Sequence, residues 1–280
     1  MKILILGCTG MIGSSIFNQS NLDKNFISFG TYKDKKKINF LKDKKLIYFN
    51  IARKEKLKII IENIRPNIVI NCIGLTKHIT GKNKKNFLNI NSKFPHYGKK
   101  ISNKYNAKFI QISTDCVFDG KIGKYNEKSK PNAKDMYGLS KALGEINDNF
   151  NLTIRTSTIG HEINSKYGLL EWFLSLKKNC QGYTNAYFNG LPTYYLSKIL
   201  LKILSKYNLS GLIHISGIKI SKYHLLKKIN KIYDKKIKII PDNTIRIDRT
   251  LDNSKLKKII KFTPRWGQLI SKMKQDHEKR

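Results

Sequence analysis

The first thirteen residues constrain the fold more than any other part of the chain. The short apolar run Lys2–Leu6 leads straight into Gly7, Gly10 and Gly13, and a helical pattern begins at Ser14. An apolar run of this kind is typical of a strand buried on both faces of a parallel sheet. The first glycine permits a tight turn, the second lets the backbone approach a pyrophosphate, and the third lets the helix pack close to the strand. The pattern therefore predicts a dinucleotide-binding unit, although its spacing is G-x-x-G-x-x-G rather than G-x-G-x-x-G.

Strands and helices alternate through the rest of the first half. Apolar runs predict four more strands, at residues 26–30, 45–51, 68–73 and 107–113, and helices at 55–64 and 86–105. This alternation predicts an α/β fold with a doubly wound parallel sheet, whose ligands bind at the carboxyl ends of the strands. The second half alternates less cleanly. Strands are expected there at 152–155, 211–215 and 236–240, and helices at 168–178, 195–206 and 221–233.

A second group of residues comes after the strand predicted at 107–113. The chain there reads Ser113-Thr114-Asp115, and a later helix-like segment carries Tyr137 and Lys141, four residues apart and so on one helix face. A lysine ammonium beside a phenol lowers the tyrosine pKa from about 10, which would let Tyr137 give a proton to a carbonyl oxygen near neutral pH. Thr114 could hydrogen-bond the same oxygen. A Tyr-x-x-x-Lys pair alone is common on solvated helices, so this interpretation depends on the glycine turn upstream.

The residue after the second predicted strand bears on the choice of dinucleotide. NAD-specific proteins have an acidic residue near that point, which binds the ribose diol. Thr31-Tyr32-Lys33 occupies the place here. A lysine suits a 2′-phosphate, so the sequence favours NADP(H), with NAD(H) left open. The alternative is that Lys33 is one more surface lysine.

The charge of the chain is extreme. Lys and Arg number 55 against 19 Asp and Glu, which gives a net charge of +36. Such an excess suggests nucleic acid or an anionic membrane as a partner. The basic residues are scattered, however, and most are Lys, whereas recognition of base edges favours Arg. We therefore expect a solvated basic surface and no specific nucleic-acid partner.

The cysteines and histidines give no metal-binding pattern. Cys8, Cys72, Cys116 and Cys180 form no C-x-x-C pair, and the six histidines are dispersed. No apolar run has the length of a membrane span or the form of a signal peptide. We expect a cytoplasmic protein with no bound metal and no membrane partner.

Taken together, these motifs resemble the extended short-chain dehydrogenases/reductases. The strand end Asn71-Cys72-Ile73-Gly74 adds to the glycine triplet and to the Tyr137 and Lys141 pair. The octapeptide Ser-Thr-Asp-Cys-Val-Phe-Asp-Gly at 113–120 is similar to the dTDP-4-dehydrorhamnose reductase branch, as are residues 155–157, 191–193, 211–214 and 251–256. The resemblance covers nearly the whole chain.

The resemblance implies both an architecture and a reaction. It implies a Rossmann domain over residues 1–157, completed by roughly 185–217, and a smaller C-terminal substrate-binding region over 158–184 and 218–280. The implied reaction is NAD(P)H-dependent reduction of the 4-keto group of a nucleoside-diphosphate-linked 4-keto-6-deoxy sugar, for cell-surface polysaccharide precursor synthesis. A homodimer is left open.

The resemblance also implies residue roles. Thr114 would hold the ketone oxygen, Tyr137 would be the acid, and Lys141 would tune Tyr137 and bind the nicotinamide ribose. The expected cofactor-binding residues are Gly7, Thr9, Gly10, Met11, Ile12, Gly13, Lys33, Asn50, Ile51, Cys72, Ile73, Gly74, Tyr137 and Lys141. The expected substrate-binding residues are Thr76, Asp115, Val117, Thr158, His161 and Pro192.

Two departures from the family pattern keep alternatives open. Asn50 stands where such proteins usually have an Asp that binds adenine, and Thr158-Ile159-Gly160-His161 replaces an aromatic pair beside the expected sugar pocket. The second departure leaves the identity of the sugar open. The alternatives are a sugar-nucleotide epimerase or 4,6-dehydratase on the same scaffold, or a non-catalytic NADP-binding regulatory subunit. A dehydratase would be expected to have Glu where Cys116 stands, and the intact Thr114, Tyr137 and Lys141 argue against a non-catalytic subunit.

Overall fold

The computed structural model describes residues 1–41, 45–76, 83–163, 165–261 and 264–279 of the 280-residue chain. The strands are β1 Lys2–Leu6, β2 Ile27–Tyr32, β3 Leu46–Tyr48, β4 Ile68–Asn71, β5 Lys108–Thr114, β6 Leu152–Thr156, β7 Thr158–Ile159, β8 Cys180–Tyr183, β9 Ala186–Phe188, β10 Leu191–Pro192, β11 Gly211–Ile215, β12 Ile220–Ser221, β13 Ile239–Asp242 and β14 Ile247–Asp248. The α-helices are α1 Met11–Asn21, α2 Lys56–Ile64, α3 Lys84–Phe87, α4 Phe94–Lys104, α5 Met136–Leu143, α6 Leu169–Ser175, α7 Thr193–Lys206, α8 Lys222–Ile232, α9 Ser254–Lys257 and α10 Trp266–Glu278.

A seven-stranded sheet forms the centre of the structure. Its order is β3-β2-β1-β4-β5-β6-β11, and every neighbouring pair is parallel. This confirms the predicted doubly wound α/β fold. The order reverses between β1 and β4, and at such a point the connections leave a crevice outside the carboxyl ends of the strands.

The sheet is buried on both faces because β1 alternates between two apolar cores. Ile3 and Ile5 belong to a core that includes side chains of α1 and α7. Leu4 and Leu6 belong to the other core, which includes side chains of α2 and α4. All four β1 side chains are fully buried. Each buried Ile or Leu contributes roughly 1.5–3 kcal/mol relative to exposure, so this strand is fixed in register and its carboxyl end is held in place.

The element bounds differ from the predictions at a few points. β3 has three residues rather than the seven predicted over 45–51, because Asn50 instead caps a 3₁₀ turn, Ile51–Arg53. The helix predicted over 86–105 contains a π-helical turn, Leu88–Lys93, before Pro95 enters the first turn of α4. The Phe94 amide donates to the Asn89 carbonyl, five residues back, so the π-helical turn runs directly into α4 at this proline. The strand predicted at 236–240 is found slightly later in the chain, as β13 Ile239–Asp242.

Among the described residues of the second half of the chain there are three small sheets, which were not predicted. Their orders are β10-β7, β12-β9-β14 and β13-β8. The segment that contains β14 packs on the loop after β5: Arg249 Nε donates to the Phe118 carbonyl at 2.8 Å, and Tyr125 and Leu251 form an isolated parallel bridge. The later part of the chain therefore reaches the carboxyl edge of the main sheet. No helix of the described residues is long and apolar enough to cross a membrane.

Candidate active site

The glycine turn after β1 has the geometry of a tight anion-binding loop. Gly7 has φ +77°, a conformation that L side chains rarely adopt. A Cβ on Gly13 would lie 3.0 Å from the Gly7 carbonyl carbon and closer still to its oxygen, so α1 can approach the turn only with glycine there. A Cβ on Gly10 would meet nothing nearer than the Gly7 oxygen at 3.5 Å. The chain itself therefore leaves room beside Gly10, as an approaching pyrophosphate requires.

The first turn of α1 supplies amide donors at this loop. The Ser14 amide donates to the Gly10 carbonyl at 2.8 Å. Met11, Ile12 and Gly13 come before Ser14 in the first turn of the helix, so their amides have no intrahelical acceptor. They lie at the positive end of the helix dipole, which favours an anion. The turn is itself anchored to β2, because the Gly7 amide donates to Thr31 Oγ1 at 3.0 Å.

The end of β4 brings a second set of predicted cofactor residues to the turn. A Cβ on Gly7 would lie 2.9 Å from the Ile73 side chain, and a Cβ on Gly74 would lie 3.8 Å from Lys141 Nζ. The structure therefore joins the glycine turn, the β4 end and Lys141 at one edge of the sheet. Burial raises the pKa of the Cys72 thiol to about 12, with Lys141 opposing that shift, so this thiol stays protonated at neutral pH.

The remaining predicted cofactor residues lie along the same edge. Lys33 is exposed directly after β2, and Asn50 is half-buried shortly after β3. The Asn50 side chain accepts from the Ala52 amide at 3.0 Å, so it caps the turn that contains Ile51. Thr9, Met11 and Ile12 are half-buried.

Helix α5 places Tyr137 and Lys141 against the end of β5. The Asp135 carboxylate caps the helix by accepting from the Gly138 amide at 2.8 Å. A Cβ on Gly138 would collide with the Cys116 carbonyl oxygen, so the helix packs tightly on the 3₁₀ turn Asp115–Val117. Tyr137 lies near Thr114 across this contact, close enough for Thr114 to lower the pKa of the phenol. The structure thus brings together the three residues that the sequence predicted.

The expected lowering of the tyrosine pKa is not found. Burial raises the pKa of Tyr137, with a further rise from Cys116 and an opposing effect of Thr114. Lys141 Nζ instead donates to the Ile112 carbonyl at 2.6 Å. Burial lowers the pKa of Lys141 to about 8, and the charge of Glu145 opposes that shift. At neutral pH the phenol is therefore protonated and the lysine still carries a charge.

Asp115 extends this arrangement outward from Thr114. Thr114 Oγ1 donates to Asp115 Oδ1 at 3.0 Å and accepts from the Cys116 amide at 3.1 Å. Burial raises the pKa of Asp115, against hydrogen bonds from Thr114 and Ser157 and the charge of Arg249. Asp115 is half-buried, whereas Thr114 is only 7% exposed.

Asn91 was missed by the sequence reasoning. It lies in the π-helical turn and is fully buried. Its Oδ1 accepts from the Leu75 amide at 2.8 Å, and its Nδ2 donates to the Leu75 carbonyl and to Ser140 Oγ, both at 3.1 Å. The side chain therefore fixes the segment after β4 relative to α5, and so fixes Gly74 relative to Lys141.

A buried ion pair below the site was also missed. Arg155 donates to both oxygens of Glu145, at 2.8 and 2.7 Å, and Ser113 Oγ donates to the same carboxylate at 2.7 Å. Both charged side chains are less than a tenth exposed. His214 lies 3.5 Å from the Arg155 guanidinium, and burial lowers the pKa of this imidazole. The network connects α5's carboxyl end with β5, β6 and β11.

The predicted substrate-binding residues fall into two groups. Asp115 and the buried Val117 come after β5, and the exposed Thr76 comes after the β4 end. Thr158 and Pro192 lie in the β7–β10 pair, in which Leu191 pairs with Thr158 and Pro192 pairs with Ile159.

His161 is held by three helical segments. Its Nδ1 lies 2.6 Å from Glu171 Oε1, its Nε2 lies 2.9 Å from the Tyr233 hydroxyl, and its ring stacks on His277 at 3.6 Å. Both ring nitrogens are therefore engaged by side chains of the protein. Among the described residues no group of three or more His, Cys, Asp or Glu side chains could hold a metal ion.

Comparison with known protein families gives one match that spans the chain. A family described as RmlD substrate binding domain matches residues 1–275. The dTDP-4-dehydrorhamnose reductase of Aggregatibacter actinomycetemcomitans is 29% identical over 146 residues, 51% of this chain and 45% of that protein. The methionine adenosyltransferase 2 subunit beta of Danio rerio is 25% identical over 146 residues, 51% of this chain and 42% of that protein. These alignments span less than half the length of the relatives.

A solved structure is similar over the whole chain. The dTDP-4-dehydrorhamnose reductase of Bacillus anthracis, in complex with NADP, superposes with a TM-score of 0.79, covering 98% of this chain and 99% of that one. The two sequences are 20% identical, so the similarity establishes the fold.

Proposed function

The chain belongs to the RmlD substrate binding domain family, and from this premise we propose that it is an NAD(P)H-dependent oxidoreductase. Its proposed reaction is reduction of the 4-keto group of a nucleoside-diphosphate-linked 4-keto-6-deoxy sugar, for cell-surface polysaccharide precursors. The observation that carries the proposal is the meeting of Thr114, Tyr137 and Lys141 beside the glycine turn, at the carboxyl edge of the sheet. A nucleotide sugar and NAD(P)H are cytoplasmic metabolites, so we propose that compartment, and a homodimer stays an expectation.

The cofactor would lie across the β1–β4 crevice. The amides of Met11 and Ile12 would hold its pyrophosphate, and Asn50 and Ile51 would lie towards its adenine. Exposed Lys33 would pair with a 2′-phosphate, which is why NADP(H) is proposed ahead of NAD(H). Gly74 leaves space at the end where Lys141 would bind the nicotinamide ribose; Thr9, Cys72 and Ile73 would complete the cradle. When bound, NAD(P)H supplies the hydride.

Three side chains would perform the proton chemistry. Thr114 would hydrogen-bond the substrate ketone oxygen. The protonated phenol of Tyr137 would give its proton to that oxygen as negative charge develops on it. The charged ammonium of Lys141 would then stabilise the phenolate that remains. The raised pKa of Tyr137 supports the role of acid, because it keeps the phenol protonated at neutral pH.

The substrate would occupy the space between the sheet edge and the later part of the chain. We propose that Thr76, Asp115, Val117, Thr158, His161 and Pro192 line it. We also propose the domain division expected from the sequence, with residues 158–184 and 218–280 as the substrate-binding region around a Rossmann domain. The contact of Arg249 with the Phe118 carbonyl supports this division, because it brings the C-terminal region onto the loop after β5.

A second candidate is a non-catalytic subunit that binds NADP. The similarity to a methionine adenosyltransferase 2 subunit beta favours it. The assembled Thr114, Tyr137 and Lys141 favour the enzyme, since a binding subunit has no use for a proton donor at the nicotinamide end. An epimerase or dehydratase would use the same scaffold, but Cys116 stands where a dehydratase would be expected to have Glu.

The substitution Tyr137→Phe tests the proposed acid. We expect turnover to fall by roughly 10²–10⁴-fold, the usual contribution of a general acid, while the affinity for NADPH stays nearly unchanged. The matched control is Tyr207→Phe. The Tyr207 phenol lies directly after α7 and donates to the Ile259 carbonyl. Steady-state turnover and a cofactor titration provide the two readouts. A Tyr137 variant that keeps most of its activity would remove Tyr137 from the mechanism.

A further inference from the structure

The segment 248–252 pairs with the loop that follows the proposed catalytic threonine, residues 115–127. The Tyr125 amide donates to the Thr250 carbonyl at 2.9 Å, and the Asp252 amide donates to the Tyr125 carbonyl at 2.7 Å. These are backbone hydrogen bonds between stretches that lie far apart in the sequence. A displacement of the segment would therefore displace the loop with it.

His214 connects this segment to the buried ion pair. Its side chain is fully buried on β11, where Nδ1 lies 3.1 Å from the Asp252 carbonyl oxygen and Nε2 lies 3.5 Å from Arg155 Nη1. A carbonyl oxygen can only accept a hydrogen bond, and a guanidinium can only donate one. The two partners therefore fix a neutral imidazole, with the proton on Nδ1 and the lone pair of Nε2 facing Arg155.

Arg155 closes a ring of contacts around the loop. Its guanidinium lies 5.1 Å from the centre of the Phe118 ring, within the range of a cation–π contact. The Phe118 ring stacks on the Tyr125 ring, with 4.0 Å between the centroids and 3° between the planes. Since Tyr125 pairs with Asp252, His214 completes the ring.

The ring holds the elements that meet at the proposed acid. Phe118 directly follows the 3₁₀ turn Asp115–Val117, and helix α5 packs tightly against that turn at Gly138. Arg155 also holds Glu145, just beyond the carboxyl end of α5, through bonds of 2.8 and 2.7 Å. Opening the ring would therefore free the helix that carries the proposed acid to move relative to the end of β5.

We propose that His214 is a positioning residue for the reductase reaction, an inference that rests on the proposed function. Its neutral imidazole completes the ring and so holds the end of β5 against α5, where the ketone oxygen and the proton donor must meet. Because His214 is fully buried with both ring nitrogens engaged, it acts through Arg155 and Asp252 rather than on the sugar or the cofactor. A misplacement of about 1 Å caused by a distant residue can cost about 10²-fold in rate.

Protonation of His214 would open the ring. The charged imidazole has a donor on both nitrogens, so Nε2 would face the Arg155 guanidinium donor to donor and charge to charge. Burial lowers the pKa of His214 below its ordinary 6.5. Between the folded-state pKa and 6.5 the unfolded chain binds a proton that the folded chain does not bind. The stability that depends on the neutral imidazole is therefore complete above pH 6.5 and is lost as the pH falls through the folded-state pKa.

The charged groups around the imidazole belong to several elements. Glu127 Oε1 accepts from the His214 amide at 3.1 Å, and Lys255 Nζ donates to the neighbouring Leu212 carbonyl at 2.7 Å. The Asp252 carboxylate accepts from the Ser254 amide at 2.7 Å, and Glu145 is paired with Arg155. Glu127 and Glu145 favour a charged imidazole, and Arg155 opposes it. Burial outweighs the two glutamates, so His214 is neutral near pH 7.

The kinetic test compares His214→Leu and His214→Asn with the wild type. Leucine removes both hydrogen bonds of the imidazole. Asparagine keeps an amide donor near the position of Nδ1, for the Asp252 carbonyl, but is too short to reach Arg155. We expect kcat to fall about tenfold in the Leu variant and about threefold in the Asn variant, because buried partners lose their hydrogen bonds. The affinity for NADPH should stay unchanged, since the glycine turn lies on other strands.

The pH profile separates positioning from a structural role. The kcat of the wild type should decline as the pH falls through the pKa of His214, below 6.5. Tyr137 and Lys141 are both protonated throughout this range, so they add no change of their own. The decline should vanish in His214→Asn, because this variant has no imidazole to protonate.

The matched control is His224→Asn, on α8. The His224 side chain is exposed, and its Nδ1 lies 2.8 Å from Ser221 Oγ. We expect its kcat and pH profile to match the wild type. A His214→Leu protein with a lower Tm but the kcat of the wild type would give His214 a structural role alone and overturn the proposal. An acid decline that persists in His214→Asn would overturn it as well.

The tautomer of His214 can be measured in the wild type, so the test does not depend on the folding of a variant. Nitrogen-15 NMR distinguishes a protonated ring nitrogen from one with a free lone pair. At neutral pH we expect a neutral imidazole that carries its proton on Nδ1. A charged imidazole, or a proton on Nε2, would overturn the proposal, because neither can accept from Arg155.

Hydrogen exchange followed by mass spectrometry needs no turnover. In His214→Leu, peptides that cover 118–127 and 248–252 should exchange at least about tenfold faster than in the wild type, because the ring is open. A peptide that covers β1 should exchange at the wild-type rate, which shows that the variant is folded. Unchanged exchange in the first two peptides would overturn the proposal. A wild type that reduces no ketosugar would overturn the proposed function alone, and the exchange result would still decide whether His214 holds the loop.

Discussion

Three alanine substitutions at glycines separate folding from cofactor binding. The decisive one is Gly13→Ala. Helix propensity alone predicts that Ala in place of a helical Gly stabilises by about 1 kcal/mol. Its Cβ, however, would lie 3.0 Å from the Gly7 carbonyl carbon and nearer to the oxygen, inside the ordinary contact of 3.4 Å. Overpacking of this kind costs about 1–3 kcal/mol, and the upper end applies because the opposing atoms are backbone.

The net expectation for Gly13→Ala is a loss of about 2 kcal/mol. For a chain of this size that corresponds to roughly 4–8 °C in Tm. Gly10→Ala should behave differently, because its Cβ would have only an ordinary 3.5 Å contact and Gly10 has φ −82°. We expect a loss of less than about 1 kcal/mol, since Ala is a poorer N-cap than Gly. NADPH affinity should nevertheless fall at least about tenfold, or 1.4 kcal/mol, because the methyl group would occupy the pyrophosphate's space.

The third variant, Gly267→Ala, is the control. A Cβ there would meet nothing within 4 Å, in the first turn of α10. We expect equal or higher stability and unchanged NADPH binding. Thermal unfolding without cofactor and titration with NADPH would give both quantities for all three variants. A Gly13→Ala protein as stable as Gly267→Ala would refute the close approach of α1 to the turn, and wild-type NADPH affinity in Gly10→Ala would refute the pyrophosphate site.

Two further predictions concern charge. Lys33→Asp should weaken binding of NADPH more than binding of NADH, because the new carboxylate repels the 2′-phosphate. The control Lys24→Asp, near the amino end of β2, should leave the ratio of the two specificity constants unchanged. An equal ratio in both variants would mean that Lys33 does not bind the 2′-phosphate. Any binding of duplex DNA at low salt should be lost by physiological salt and show no sequence preference, because scattered lysines bind phosphates by releasing counterions. Binding of NADPH by the Met11 and Ile12 amides should be less sensitive to salt. DNA binding that survives physiological salt, without NADPH binding, would contradict this prediction.

The sequence predicted the main sheet because its strands carry their own signal. Strands such as β1 and β4 are continuous apolar runs, and the glycine turn marks the start of the helix after the first of them. The small sheets carry no such signal. β7 and β10 have two residues each, and Thr158 pairs with Leu191, far along the chain. Their pairing depends on tertiary packing, which periodicity does not contain.

The site was predictable to the same extent. Thr114, Tyr137 and Lys141 stand in recognisable positions along the sequence, and the structure brings them together. Asn91 gave no such signal, because its partner Leu75 belongs to a different element. The direction of the Tyr137 pKa was also wrong, since the sequence shows the neighbouring lysine but not the burial that outweighs it.

Product analysis tests the central claim most directly. The purified chain would be incubated with NADPH deuterated at the transferable position and with each of several nucleotide-linked 4-keto-6-deoxy sugars. We predict, for at least one sugar, one NADPH oxidised per sugar reduced, with deuterium at C4 of the product, and no such product from Tyr137→Phe. NADPH binding without oxidation across all the sugars, or sugar conversion without net NADPH consumption, would contradict the proposed reduction.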